Sequence, residues 1–432
     1  MSEPSTATTL DLADFITSGP SPFHVTAEIV RRLRAAGFTE QPDTAESETD
    51  TTGGQHYLVC DGTVIAWHQP HGATATTPVR IIAAHTDSPT LKIKPRPDTG
   101  AAGWRQVAVE VYGGPLWNSW LDRDLGLAGR LVLLDGSSVL VNVDRPLLRV
   151  PQLAPHLDRE VNDRGLKLDP QQHLLPVWGV GEVRDGDLID FLAAETGVSA
   201  SDVAAHDLVL HDVARPTLTG RDSELLAASR LDNLSSAHAG LLAFLRACES
   251  ADQQGVIVVY AAFDHEEIGS TSMTGAAGPL LDMVLTQIWT GLGADARQRA
   301  RAVADSRCLS ADAGNAVHPN YQDFYDPAHR AIPGRGPALK INASHRYATD
   351  AIGAAAWARA CRTAGVPSQV YVSRNNVRCG STVGPILAAR LGIRTVDVGI
   401  PVLSMHSIRE MCGAADPGYL AAAATAFLCE AP

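Results

Sequence analysis

The segment 255–270 reads GVIVVYAAFDHEEIGS, an apolar run that passes directly into acidic and histidine side chains. A short apolar run of this kind predicts a buried β-strand over 255–263. Adjacent carboxylates just after a buried strand are costly unless another group compensates their charge. Glu266 and Glu267 therefore indicate a functional acidic pair, and a solvated acidic loop is the alternative for this segment alone.

Similar patterns occur on both sides of the middle of the chain. VRIIAAH (79–85) predicts a second buried strand, and after residue 230 strand and helix patterns alternate. SSAHAGLLAFLRACE (235–249) predicts a helix, and RTVDVG (394–399) predicts a strand. Alternation of this kind predicts an α/β fold class, with one sheet covered by helices.

The middle of the chain has a different texture. RQVAVEVYGG (105–114), LAGRLVLL (127–134) and SSVLVNV (137–143) predict short strands separated by Gly, Pro, Asp and Asn. The sequence therefore predicts a discontinuous α/β domain, formed by 1–92 and 217–432, into which a β-rich domain at 93–216 is inserted. A length of 432 residues fits two domains better than one.

Composition limits the function classes. A formal net charge of −13 makes nucleic acid and anionic membranes unfavourable partners. No apolar run reaches the ~18 residues that a membrane-spanning helix needs, and the first residues lack the pattern of a secretory signal. The seven cysteines are scattered and none is spaced C-x-x-C, which indicates a reducing compartment. We expect a cytoplasmic protein.

Acidic and histidine side chains are concentrated in five segments at strand ends or helix starts. These are AAHTDSP (83–89), SRLDN (229–233), FDHEEIGS (263–270), SADAG (310–314) and LSMHSIRE (403–410). Ligands of open α/β sheets bind outside the carboxyl ends of the strands, so the segments that follow 79–84 and 256–263 fall on one rim. Each signal alone has an ordinary alternative, such as helix capping by the segment around Asp232.

Two histidines and three carboxylates from these segments form the ligand set expected for paired zinc ions. The candidate ligands are His85, Asp232, Glu267, Asp312 and His406. Paired metal ions polarise a carbonyl and activate a water, and a free carboxylate beside them serves as general base. The chain lacks the G-x-S-x-G, P-loop, G-x-G-x-x-G and H-E-x-x-H motifs of other enzyme classes.

Several motifs resemble those of the aspartyl aminopeptidase family of metallopeptidases. They occur in the order of that family and cover the chain from about residue 10 to 430: AHTDSPTLKIKP, WLDRDLGLAGR, SRLDNL, FDHEEIGSTS, HPNYQ, GPALKINASHRYATD, CGSTVGPI and DVGIPVLSMHSIRE. The resemblance implies a phosphorylase/hydrolase-like mixed-sheet catalytic domain with an inserted β-rich dimerisation domain. It also implies two Zn²⁺ per subunit, replaceable by Mn²⁺ or Co²⁺, and assembly into dimers and a tetrahedral dodecamer.

The resemblance further implies a role for each candidate residue. Asp232 bridges both ions, His85 and Asp312 bind one ion, and Glu267 and His406 bind the other. Glu266 is the general base, and Asp87 orients the site. The implied reaction is removal of the N-terminal residue from peptide substrates, with a preference for Asp or Glu.

Three more residues match positions of the family that contact substrate. Lys340 and Tyr347 match pocket residues, and a cation at Lys340 gives a physical reason for an acidic preference. Arg346 competes for that role, and a solvated strand lysine is the alternative for Lys340. His156 matches a histidine that a partner subunit contributes, the alternative being an ordinary surface histidine.

The chain departs from the family pattern at one place. The family commonly reads D-x-A-H-A-x-H-P-N-Y, whereas residues 312–321 read DAGNAVHPNY, with Gly314 and Asn315 in place of Ala and His. This departure bears on metal affinity or substrate preference. Two other functions stay open, namely a different dinuclear-zinc hydrolase, such as a carboxypeptidase or amide deacylase, and a non-catalytic assembly or cargo-binding relative.

Overall fold

A computed structural model describes residues 6–41, 53–250 and 255–430. The α-helices are α1 (Thr6–Ser18), α2 (Pro22–Ala35), α3 (Val161–Arg164), α4 (Asp187–Thr196), α5 (Leu231–Cys248), α6 (Leu280–Gly291), α7 (Ala296–Asp305), α8 (Ala351–Ala364), α9 (Val383–Leu391) and α10 (Asp416–Leu428). Short 3₁₀ helices occupy Trp117–Trp120, Ala200–Asp202, Glu266–Ile268 and Gln322–Phe324.

The strands of the first half are β1 (Thr39–Glu40), β2 (Gly54–Cys60), β3 (Thr63–Gln69), β4 (Val79–His85), β5 (Thr90–Ala101), β6 (Trp104–Tyr112), β7 (Leu125–Leu133), β8 (Ser138–Leu148), β9 (Val177–Val180) and β10 (Val203–Asp212). Those of the second half are β11 (Thr217–Thr219), β12 (Leu225–Ala228), β13 (Ile257–Phe263), β14 (Arg307–Ala311), β15 (Gly314–Asn315), β16 (Ala338–Ile341), β17 (Gln369–Val372), β18 (Arg394–Gly399), β19 (Pro401–Leu403) and β20 (Glu410–Gly413).

The largest sheet has nine strands in the order β1-β2-β3-β13-β4-β14-β18-β16-β17. Its four central strands, β13, β4, β14 and β18, are parallel. The predicted strands at 79–85 and 255–263 are confirmed as β4 and β13, and every residue of both is buried. Such strands read as continuous apolar runs because helices cover both faces of a parallel sheet.

Two apolar clusters lie on the two faces of this sheet. One includes residues of α1, α2, α5, α8 and α10, and the other includes residues of α6 and α9. Phe244 and Trp357 belong to the first cluster and Trp289 to the second. The α/β class predicted from strand–helix alternation is therefore confirmed.

A six-stranded antiparallel sheet, in the order β8-β7-β10-β5-β6-β9, is built from the segment between Thr90 and Asp212. It has its own apolar cluster, which includes Leu127 and Leu208 as well as Leu192 of α4. These strands lie in the region where the sequence predicts a β-rich unit. The boundaries at 93 and 216 and the dimerising role of this unit remain predictions.

A third sheet has five short strands, in the order β11-β12-β20-β19-β15. Antiparallel pairing of β12 with β20 sets Ala228 opposite Glu410. Two of the acidic and histidine segments therefore start from neighbouring strands: 229–233 follows β12, and 403–410 connects β19 to β20. The sequence reading did not anticipate this sheet.

None of the helices in the described part of the chain has both the length and the apolar content that a membrane span requires.

Candidate metal centre

The five predicted metal ligands lie close together, and three strands of the large sheet deliver three of them. His85 is the last residue of β4, Glu267 lies in the 3₁₀ helix after β13, and Asp312 directly follows β14. Pairing of Phe263 with His85 puts the ends of β13 and β4 at the same level. The rim predicted from the strand ends is the place where these side chains meet.

The other two predicted ligands lie next to strands of the small sheet. Asp232 lies at the start of α5 with non-helical backbone angles, and His406 lies between β19 and β20 at φ +65°. We call His85, Asp232, Glu267, Asp312 and His406 the carboxylate–histidine cluster. Its members come from the edges of two sheets that share no strand.

The two histidines approach Asp232 from different sides. His85 Nε2 is 3.5 Å from Asp232 Oδ1 and 3.7 Å from Asp312 Oδ1. His406 Nε2 is 3.4 Å from Asp232 Oδ2 and 3.4 Å from Glu267 Oε2. Each oxygen of Asp232 therefore belongs to a different half of the cluster.

The donor set fits a metal ion. One ligand atom from each of His85, Asp232 and Glu267 lies within 4.8 Å of the others. Asp232 Oδ1 and Glu267 Oε1 are buried and accept no hydrogen bond from the described part of the protein. Buried carboxylate oxygens are costly without a partner, and a divalent cation between them would supply one.

Charges inside the cluster shift the pKa values of its members. Burial opposes the charged form of His85, but the nearby carboxylates of Asp232 and Asp312 outweigh burial and raise its pKa. Burial likewise opposes charge on His406, whereas Asp232 and Glu267 raise its pKa to about 10. Burial and the charge of Asp232 raise the pKa of Glu267 well above its usual value. In the metal-free site, protons thus compensate the carboxylate charges. A metal ion would displace these protons on binding.

Glu266 lies beside the cluster. Its Oε2 is 3.9 Å from His85 Nε2, and its side chain is 16% exposed. Burial, opposed by His85 and reinforced by Asp312, raises the pKa of Glu266 to about 8. A partly exposed carboxylate beside the cluster can reach a molecule bound there, as a general base must.

Asp87 forms hydrogen bonds that link the end of β4 to the segment after β13. Its Oδ1 accepts a hydrogen bond from the Glu266 backbone N–H and its Oδ2 accepts one from Glu267, each at 3.1 Å. His85 Nδ1 is 3.1 Å from the Asp87 carbonyl oxygen and 3.3 Å from Asp87 Oδ1. Donation from Nδ1 to Asp87 leaves Nε2 facing the cluster as the nitrogen that would bind a metal ion.

The sequence reading missed Glu410. This buried side chain accepts the backbone N–H of His406 at 2.7 Å and that of Asp232 at 2.9 Å, one on each oxygen. It therefore ties together the two ligand segments of the small sheet. Glu410 lies within LSMHSIRE, and its position four residues after the histidine was the available signal.

Lys340 is buried in β16, which excludes the alternative of a solvated strand lysine. Its Nζ donates to the Ala313 carbonyl at 2.7 Å and lies 3.6 Å from Asp312 Oδ2. The ring of Tyr347 is 5.4 Å from the same Nζ, and burial raises the pKa of this tyrosine. Both residues are thus next to the Asp312 side of the cluster.

Two predicted features differ in their distance from the cluster. His156 is exposed in the segment between β8 and α3, and no interaction found in the described part of the chain joins it to the cluster.

Gly314 and Asn315 form β15, where a Cβ at Gly314 would be 3.4 Å from Lys340 Cε. The space beside Lys340 would therefore accept the methyl group of an alanine.

Comparisons with known proteins identify the family of this chain. Residues 15–428 match the family described as "Aminopeptidase I zinc metalloprotease (M18)". A protein of Streptomyces avermitilis named "Probable M18 family aminopeptidase 2" is 56% identical over 419 residues, covering 97% of this chain and 96% of the relative.

Solved structures agree as well. The structure of the Ape4 and Nbr1 complex matches with a TM-score of 0.94 at 34% identity, covering 98% of this chain and 85% of that one. The mApe1 dodecamer of S. cerevisiae matches with a TM-score of 0.85 at 27% identity, covering 98% and 96%. The resemblance to the aspartyl aminopeptidases is confirmed, and the chain belongs to the M18 family of zinc metallo-aminopeptidases.

Proposed function

We propose that this aminopeptidase uses two zinc ions per subunit, with Asp232 as the carboxylate between them. The observation that carries this proposal is that the two oxygens of Asp232 face different histidines, at 3.5 and 3.4 Å. His85 and Asp312 would hold one ion, and His406 and Glu267 the other. Manganese or cobalt would occupy the same ligands, because carboxylate and imidazole donors suit all three metals.

Paired zinc ions would polarise the first peptide carbonyl and make a water molecule more acidic. Glu266 would accept a proton from that water and deliver it to the leaving amine. Its position beside His85 supports this role. Asp87 would keep the Glu266 turn and the His85 ring in their relative orientation through the hydrogen bonds it accepts.

A preference for N-terminal Asp or Glu is part of the proposal. Lys340 supplies a buried cation within 3.6 Å of Asp312 Oδ2, and Tyr347 lies beside it. A substrate carboxylate reaching this region would gain a charge-assisted hydrogen bond. The enzyme would act on peptides with a free N-terminus.

Self-association is the second part of the proposal. The similar mApe1 of S. cerevisiae forms a dodecamer, and we expect dimers and a tetrahedral dodecamer here. His156 is exposed and is therefore available to complete a site in a neighbouring subunit. An isolated protomer would then have low activity. The scattered spacing of the seven cysteines supports a reducing compartment such as the cytoplasm.

The test is hydrolysis of Asp-, Glu- and Leu-p-nitroanilides, each with a free and an N-acetylated amine, by protein loaded with zinc, manganese or cobalt. We expect cleavage of the free amines only, fastest for Asp and Glu. Turnover of the acetylated substrates would refute aminopeptidase action and favour a different dinuclear-zinc hydrolase. Fastest cleavage of the Leu substrate would refute the acidic preference alone.

A further inference from the structure

The carboxyl end of β6 contacts the candidate metal centre although β6 belongs to the six-stranded sheet. The Tyr112 hydroxyl donates to Asp87 Oδ2 at 2.7 Å. Two residues later, the Gly114 carbonyl lies 3.0 Å from His406 Nδ1. One short segment, Tyr112–Gly114, therefore reaches both the strand-end side and the small-sheet side of the site.

The contact with His406 determines which ring nitrogen carries the proton. A carbonyl oxygen only accepts, so Nδ1 must donate to Gly114, and Nε2 is the nitrogen that faces Asp232 and Glu267 and would bind a metal ion. The Leu116 backbone N–H donates to the His406 carbonyl at 2.8 Å, which holds the same residue a second time. Both the main chain and the ring of His406 are thus fixed by the residues after β6.

The contact with Asp87 acts on the other half of the site. Asp87 Oδ2 accepts one hydrogen bond from Tyr112 and one from the Glu267 backbone N–H. Loss of the tyrosine hydroxyl would free one side of that oxygen and let the carboxylate rotate. Rotation would shift the Glu267 turn and the His85 ring, which lies 3.3 Å from Asp87 Oδ1.

Gly113 allows this close approach. It has φ +70°, and a Cβ at this position would be 3.1 Å from the Cβ of Glu267 and 3.4 Å from Pro89 Cα. A side chain would therefore press on a candidate metal ligand and would also strain the backbone. The segment therefore packs directly against the candidate ligand Glu267, and a side chain at Gly113 would not fit without a shift.

We infer that Tyr112–Gly114 is a positioning segment of the metal centre, through which the six-stranded sheet sets zinc affinity and site geometry within one chain. The inference deepens the proposed function and rests on it. Its consequence is that a shift of the six-stranded sheet changes the orientation of Asp87 and His406 together. Polar groups around a metal ligand typically change metal affinity or activity 10- to 100-fold when removed.

The test compares two variants of the full-length protein with matched controls. Tyr112→Phe removes one hydroxyl, and its control is Tyr260→Phe, which removes a buried hydroxyl bound to the Ala237 carbonyl at 3.0 Å. Gly113→Ala is matched by Gly103→Ala, because Gly103 has φ +84° and a Cβ there would contact nothing within 4 Å. Each control carries the same chemical change away from the cluster.

Four quantities are measured: zinc affinity by chelator competition, the visible spectrum of the Co²⁺-loaded protein, kcat and KM, and urea unfolding of the metal-free protein. We expect Tyr112→Phe and Gly113→Ala to weaken zinc binding about 10-fold or more. Both should alter the Co²⁺ spectrum and lower kcat more than they raise KM. The controls should change urea unfolding alone.

Zinc affinity and a Co²⁺ spectrum equal to wild type in both variants would overturn the inference, and so would equal changes in the controls. Metal binding is measured without substrate, so it separates the two claims. Active wild-type protein with unaffected variants would refute the positioning role alone. Altered metal binding in the variants of a protein that cleaves no peptide would refute the proposed function alone.

Discussion

Glu410→Gln should weaken zinc binding as well as the fold, because one carboxylate serves two ligand segments. Its oxygens accept the backbone N–H groups of His406 and Asp232, at 2.7 and 2.9 Å. Glutamine has the same shape but only one acceptor oxygen, and its NH₂ group donates. One of the two N–H groups must therefore face another donor in a buried place.

The magnitude follows from this geometry. A buried donor left without an acceptor costs about 1–3 kcal/mol, and the remaining hydrogen bond loses its charge assistance. We expect the free energy of unfolding of the metal-free protein to fall by roughly 2–3 kcal/mol. Displacement of the Asp232 or His406 backbone should also lower zinc affinity about 10- to 100-fold.

The matched control is Asp416→Asn. Asp416 is also a buried carboxylate that accepts backbone N–H groups, among them those of Gly334 at 2.7 Å and Gly336 at 2.9 Å, and it contacts no member of the cluster in the described structure. Urea unfolding of metal-free protein should show similar losses for both variants. Chelator competition should show a loss of zinc affinity for Glu410→Gln alone. Wild-type zinc affinity in Glu410→Gln, or an equal loss in Asp416→Asn, would refute the reasoning.

Three further outcomes are expected. Glu266→Gln should keep the zinc content found by elemental analysis yet lose at least about 100-fold in kcat, as expected for a general base; a near wild-type rate would remove Glu266 from that role. Asp232→Asn should strip metal from both halves of the cluster, and full zinc occupancy would contradict a bridging position. Asp11→Asn tests pH dependence: hydrogen bonds from His238 at 2.7 Å and Arg32 at 2.8 Å, opposed by burial, hold the pKa of Asp11 below its usual 3.8. A depressed carboxyl pKa adds stability above about pH 4, and this stability disappears as the pH falls further. Asp11→Asn should therefore lower the free energy of unfolding in urea by about 1 kcal/mol at pH 7, a small value because the group is partly exposed, and by less in acid. A difference from wild type that is the same at both pH values would contradict this role of Asp11.

The sequence predicted the parts of the site that depend on local pattern. The apolar runs 79–85 and 255–263 became central strands because a parallel sheet buries both faces. Side chains that follow such strands must share a rim, so proximity of His85 and Glu267 was predictable. The fold class and these two strands needed no information beyond periodicity.

The rest of the site depends on pairings between distant segments. The small sheet joins strands as short as Leu225–Ala228 and Glu410–Gly413, and runs of that length carry little periodic signal. Only their antiparallel register sets Ala228 opposite Glu410 and brings Asp232 toward His406. Glu410 was missed because its partners are backbone N–H groups, which have no counterpart in a sequence motif.

Lys340 connects metal binding with the proposed substrate preference. Its Nζ already donates to the Ala313 carbonyl and lies 3.6 Å from Asp312, so part of its charge stabilises a candidate metal ligand. A substrate carboxylate that binds Lys340 must therefore compete with Asp312 for the same ammonium group. Zinc bound to Asp312 would reduce this competition, because it neutralises the carboxylate. An acidic preference carried by Lys340 should consequently depend on the occupied metal site, which couples the choice of substrate to the loading of the metal centre.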